Sequence, residues 1–126
     1  MPGERILVIE DNPLNLELVR ALLEAQGYEV IDSGSAEEGI ERAKTEQPRL
    51  IFIDLRLPGT DGLAATQLLK ADIATRHIPV VALTAHAMKG DDERAMQAGC
   101  DGYLTKPIDT RAFPAVVARF LAGEQS

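Results

Sequence analysis

The stretch LIFIDLRLPGTDGLAATQLL, Leu50 to Leu69, decides the fold. Its first five residues, Leu50 to Asp54, are apolar without alternation until the final aspartate. A short run of that kind reads as a strand covered on both faces. Pro58, Gly59, Thr60 and Asp61 then make a turn, with Asp61 placed to cap the next segment. From Gly62 to Ala71 the apolar positions Leu63, Ala64, Ala65, Leu68 and Leu69 fall at helical spacing.

The same alternation extends in both directions. Strand-like runs occur at Arg5 to Glu10, Tyr28 to Asp32, Ile78 to Thr84 and Gly102 to Thr105. The run at Tyr28 mixes Glu29 and Asp32 among its apolar residues, which predicts an edge strand. Helical periods lie between the runs. Pro13 to Gln26 carries Leu14, Leu16, Leu18, Val19, Leu22 and Leu23, with Asn12 as cap, Pro13 in first position and Gly27 as terminator. Ala36 to Glu46 repeats Ala36, Gly39, Ile40 and Ala43. Met88, Asp92, Ala95, Met96 and Gly99 mark a fourth helix, weakened by Gly90. Phe113, Val116, Val117, Phe120 and Leu121 mark a fifth, which Pro114 forces to start late or with an irregular first turn. The expected fold class is α/β: a doubly wound parallel sheet of five strands between two layers of helices.

The chain has 126 residues, enough for one domain with a real core, and residues 1–126 are expected to form that domain with no output domain. Cys100 is the single cysteine, so no internal disulfide forms, and a reducing cytoplasmic setting is expected. No apolar run approaches the ~20 residues that span a bilayer, so no membrane partner is expected. The net charge of −7 argues against direct DNA binding, which needs a basic face.

The chemistry gathers at strand ends. Glu10 and Asp11 close the first strand, Asp54 the third and Thr84 the fourth, while Lys106-Pro107 comes after the fifth. In an open doubly wound sheet, ligands bind beyond the carboxyl ends of the strands. Glu10, Asp11 and Asp54 supply the hard oxygens that Mg²⁺ prefers. Lys106 supplies a positive charge for an anion and Thr84 a hydroxyl. A carboxylate is also a nucleophile toward phosphorus. The set therefore reads as a Mg²⁺-dependent phosphoryl acceptor with Asp54 as the attacked residue.

The segments LVIEDNPLN, LIFIDLRLPGTDGL, PVVALTAHA and GCDGYLTKPID resemble the receiver domains of two-component response regulators, and the similarity spans nearly the whole chain. AMKGDDERAMQAGCD is similar in style to single-domain regulators of cell division and to hybrid-kinase receivers. The resemblance implies a flavodoxin-like (βα)5 sheet of order 2-1-3-4-5. It implies a phosphorylation switch, not an enzyme acting on a separate substrate, that signals to a downstream effector by protein contact through the fourth helix, fifth strand and fifth helix. Asp54 would take phosphate from a histidine kinase or histidine phosphotransfer protein. Glu10, Asp11, Asp54 and the backbone carbonyl of Arg56 would hold Mg²⁺. Lys106 would pair with the phosphoryl group, Lys106-Pro107 would be a cis peptide, Thr84 would swing toward the phosphoryl oxygen, and Tyr103 would rotate as the aromatic switch. Arg56 and His86 occupy positions that tune dephosphorylation, and their bulk predicts slow loss of phosphate.

Plainer roles compete for several of these residues. Tyr103 suits a core or rim position as well as a switch. Leu14, Asn15 and Leu18 form either a docking patch for a kinase or phosphotransfer helix, or packing under a neighbouring loop. Cys100 reads as a small packed residue, and Met88 and Met96 as core. His77 and His86 lack a second ligand at metal spacing. A haloacid-dehalogenase-like phosphatase wants a second acid where Arg56 stands. A flavodoxin wants a phosphate loop where EDNPLN stands. A phosphorelay shuttle shares every site residue with a switch.

Overall fold

The computed structural model describes residues 3–55, 62–84, 91–105 and 108–122. Five strands alternate with five helices: β1 (Arg5–Ile9), α1 (Pro13–Ala25), β2 (Glu29–Ser33), α2 (Ala36–Glu46), β3 (Leu50–Asp54), α3 (Gly62–Ala71), β4 (Val80–Thr84), α4 (Asp91–Gln97), β5 (Gly102–Thr105) and α5 (Phe113–Leu121). The strands pair in parallel in the order β2-β1-β3-β4-β5. β2 is an edge strand, as its mixed composition predicts.

The period-2 geometry of the strands builds two cores. Leu7, Ile9, Ile51, Ile53, Val80 and Ala82 face one way, toward Ala36 and Ala43 of α2, Ala65 and Leu69 of α3 and Ala95 of α4. Ile6, Val8, Leu50, Phe52, Val81 and Leu83 face the other, toward Val19 and Leu23 of α1 and Phe113, Val117 and Phe120 of α5. The helices of the first layer present mostly alanine to the sheet.

The helix ends obey local chemistry. Asn12 accepts hydrogen bonds from the N–H groups of Leu14 and Asn15 at 2.9 and 3.3 Å, capping α1 behind Pro13. Gly27 takes a φ of +89° just past the helix. Ser35 caps α2 by accepting from Glu38 N–H at 3.3 Å. At its other end Gln47 adopts the left-handed region, at φ 49°, where glycine is usual. Its side-chain amide donates to the carbonyls of Ala43, Lys44 and Ala74, which offsets the strain.

Four sequence expectations shift. The fourth strand starts at Val80, not Ile78: Pro79 has no N–H for the ladder, and Ile78 N–H instead donates to Thr75 in a turn. The first strand stops at Ile9, and the second runs Glu29–Ser33, one residue later than its pattern suggests. Leu68 and Met96 belong to no core: they are 55% and 48% exposed, because Leu69 and Ala95 beside them fill the inward positions. α5 begins late, as Pro114 requires, with Pro114 in its first turn and Asp109 accepting from the N–H groups of Arg111 and Ala112 just before it. Asp61, Met88 and Gly90 lie outside the described residues. Among the described residues no helix is long and apolar enough to cross a membrane.

Candidate phosphoacceptor site

β1 and β3 are neighbours, and their register sets Ile9 opposite Ile53. The next residues, Glu10 and Asp54, therefore meet at the carboxyl edge of the sheet. Asp11 joins them: one carboxylate oxygen from each of Glu10, Asp11 and Asp54 lies within 4.8 Å of the others. Glu10 and Asp54 are buried, 1% and 6% exposed, while Asp11 is exposed.

Backbone contacts fix each arm of this cluster. Glu10 N–H donates to the Ser33 carbonyl at 2.9 Å, which carries the sheet pairing one residue past β1. A Glu10 carboxylate oxygen accepts from Asn12 N–H at 3.2 Å, so the same loop that caps α1 also orients the acid. Beyond Asp54, Leu55 N–H donates to the Leu83 carbonyl at 3.0 Å, and Gly62 N–H donates to the Leu55 carbonyl at 3.2 Å.

Thr84 ends β4, the strand next to β3, and is 1% exposed. It lies one residue past Leu83, the register partner of Asp54. Tyr103 pairs in register with Ala82 and packs, half-buried, on the α2–α3–α4 side of the sheet. Ala82 and Thr84 are two apart on one strand, so Thr84 and Tyr103 share that face.

The structure thus brings Glu10, Asp11 and Asp54 together and sets Thr84 on the adjoining strand end. Lys106 and Pro107, just after β5, and Arg56 and His86, two residues beyond Asp54 and Thr84, lie outside the described residues. Leu14 and Leu18 are 76% and 38% exposed on α1, and Asn15 is half-buried between them in sequence. Sequence reading missed Gly62, which abuts the backbone of Asp54 and Leu55; its only signal was a glycine at the start of a helix.

Chemically, three carboxylates this close repel one another when ionised and attract a cation. Two unit charges 4 Å apart repel by ~1 kcal/mol in water and ~4 kcal/mol at an effective dielectric of 20. Three carboxylate donors without nitrogen or sulfur form a hard-cation set, and the donor chemistry fits Mg²⁺.

The family model described as the response regulator receiver domain matches residues 6–118. The chain belongs to this family. The polar-differentiation response regulator DivK of Brucella ovis is 46% identical to this receiver over 116 residues, covering 92% of this chain and 94% of that one. The receiver domain of a sensor histidine kinase from Pseudomonas aeruginosa PAO1, solved with a magnesium ion coordinated in its active-site cleft, superposes with a TM-score of 0.88 at 35% identity, over 95% of this chain and 98% of that one. A response regulator from Chloroflexus aurantiacus superposes with a TM-score of 0.91 at 27% identity, over 95% and 98%. This receiver is accordingly a signalling module of two-component type, with the sheet order its sequence resemblance implies.

Proposed function

We propose that this receiver is a phosphorylation-dependent switch in which Asp54 accepts a phosphoryl group from a histidine kinase or a histidine phosphotransfer protein. The observation that carries the reading is the convergence of Glu10 and Asp11 on a buried Asp54 at the carboxyl edge of the sheet. A carboxylate oxygen of Asp54 attacks phosphorus. The O–P bond forms as the P–N bond of the donor phosphohistidine breaks; the electron pair stays on the imidazole, which takes up a proton, and an acyl phosphate remains on Asp54.

Glu10, Asp11 and Asp54, with the backbone carbonyl of Arg56, would hold Mg²⁺. Bound there, the ion neutralises charge on the phosphoryl oxygens. Lys106 pairs with the phosphoryl group as a point charge. The buried Thr84 hydroxyl donates to a phosphoryl oxygen, and Tyr103, on the same face, responds as the aromatic switch. The altered surface of α4, β5 and α5 then meets a downstream effector by protein contact. Leu14, Asn15 and Leu18 receive the donor, the exposure of Leu14 and Leu18 on α1 leaving an apolar patch near the acids.

The likeness to DivK favours the switch over a shuttle. The likeness to a sensor-kinase receiver keeps a second reading in play, in which Asp54 passes its phosphate onward. Acetyl phosphate with Mg²⁺, then intact-mass measurement, tests the acceptor: one phosphoryl group is gained by the natural sequence and none by Asp54→Asn. Onward transfer to an added phosphotransfer protein separates shuttle from switch.

A further inference from the structure

Gly62 is the first residue of α3, and its lack of a side chain has a specific reason there. The reason is contact. A Cβ at this position would overlap the carbonyl oxygen of Asp54 and come within 2.6 Å of the Leu55 Cα and 3.0 Å of the Asp54 carbonyl carbon. All of these are backbone atoms, so no side-chain rotation relieves the overlap. Gly62 N–H also donates to the Leu55 carbonyl at 3.2 Å, while Leu55 N–H is held by Leu83 of β4 at 3.0 Å. The peptide that carries Asp54 is therefore clasped between β4 on one side and the start of α3 on the other.

The clasp is braced from within. The fully buried Thr66 hydroxyl donates to the Gly62 carbonyl at 2.8 Å. Cys100, just before β5, sets its sulfur 3.8 Å from the same hydroxyl.

We infer that Gly62 is a positioning residue for Asp54, seating α3 directly on the acceptor's backbone, and that Thr66 holds it there. The inference rests on the reading of Asp54 as phosphoacceptor. Phosphoryl transfer depends on placement and charge, so a small displacement of the acceptor oxygen lowers the rate without removing any reacting group.

The test measures phosphoryl gain by the full chain from acetyl phosphate in excess Mg²⁺, by intact mass, at a temperature where circular dichroism shows each variant folded. The acetyl phosphate P–O bond breaks as the Asp54 O–P bond forms, and acetate leaves. Gly62→Ala is expected to lower the maximal rate at least fivefold, with the half-saturating acetyl phosphate concentration within twofold of the natural sequence. Thr66→Val shifts the rate the same way by about twofold or more, and Thr66→Ser restores it. Gly102→Ala is the control for lost packing: its Cβ would come within 2.8 Å of the Phe120 ring, away from the acids, and its rate stays within twofold. A Gly62→Ala rate equal to the natural one, or an equal loss in Gly102→Ala, overturns the inference. If Gly62→Ala does not fold, Thr66→Val decides, and an unchanged rate there overturns it. Failure of the natural sequence to gain phosphate, or retention of the gain in Asp54→Asn, sinks the acceptor reading instead.

Discussion

The ammonium of Lys70 lies 2.8 Å from a carboxylate oxygen of Asp101, joining the last turn of α3 to the residue before β5. The same oxygen accepts the N–H of Val80 at 2.8 Å, and Lys70 also donates to the Ile78 carbonyl at 2.7 Å. This staple closes the sheet at the end opposite the acid cluster. Both side chains are only 19% exposed, so the pair is shielded from solvent more than a surface ion pair is. Asp101→Ala leaves the Val80 N–H without this acceptor and is expected to cost about 2–3 kcal/mol. Asp101→Asn keeps an acceptor and costs about 1 kcal/mol. Urea unfolding with unchanged slope measures both; equal losses would assign the effect to charge alone.

Crowding at the other end acts in the opposite sense. Asp11 is exposed, so removing its charge costs little desolvation or packing, yet it relieves repulsion on Glu10 and Asp54. Asp11→Asn is expected to raise metal-free stability by about 1 kcal/mol and to abolish stabilisation by added Mg²⁺. A metal-free urea midpoint that falls would show the three carboxylates to be structurally paired.

The proposed docking role of Leu18 is separable from the chemistry at Asp54. Being 38% exposed, it can be made polar without opening the core. Leu18→Ser is expected to slow transfer from a phosphorylated histidine phosphotransfer protein about tenfold and leave acetyl phosphate uptake unchanged. Equal slowing with both donors would remove the docking role.

Loss of phosphate reports on the two tuning positions. Arg56 and His86 are long or bulky residues two beyond Asp54 and Thr84, and the natural chain is expected to hold phosphate for minutes or longer. Arg56→Ala and His86→Ala should each hasten release several-fold in a phosphate-release time course. Unchanged release in both would reject screening of the attacking water.

Cys100 gives a pH signature. Burial pushes its thiol above the ordinary range, outweighing the opposing hydrogen bond with Thr66. A group whose folded pKa is raised contributes stability fully below its unfolded value, about 8.5, and loses it as pH rises through the folded value. Stability is therefore expected to decline above about pH 8.5, less so in Cys100→Ala. The same burial, at 3% exposure, predicts that iodoacetamide labels Cys100 only on unfolding; labelling of the folded chain would contradict it.

Particular residues show why some features were legible and others not. The unbroken apolar runs at Leu50–Asp54 and Val80–Thr84 announced buried parallel strands, because a strand covered on both faces has no polar side to reveal. Asn12, Pro13 and Gly27 announced the ends of α1 because each acts through its own local backbone. Gln47 in a left-handed conformation carried no such signal: it is held there by carbonyls on two separate segments. Leu68 and Met96 misled for a related reason. Helical spacing marks a face, but the width of the buried stripe depends on which neighbours press against it.

The amino-acid order alone determined the alternation of strand and helix, the acids that close the first and third strands and the family resemblance, since these depend on local pattern and on motifs read in sequence. The tertiary structure decided that Glu10, Asp11 and Asp54 share one cluster, that Leu14 is exposed on α1, and that Gly62 rests on the peptide of Asp54. Those are contacts between segments whose mutual approach is set by strand register and by the thickness of the side chains between helix and sheet, and no local pattern encodes either.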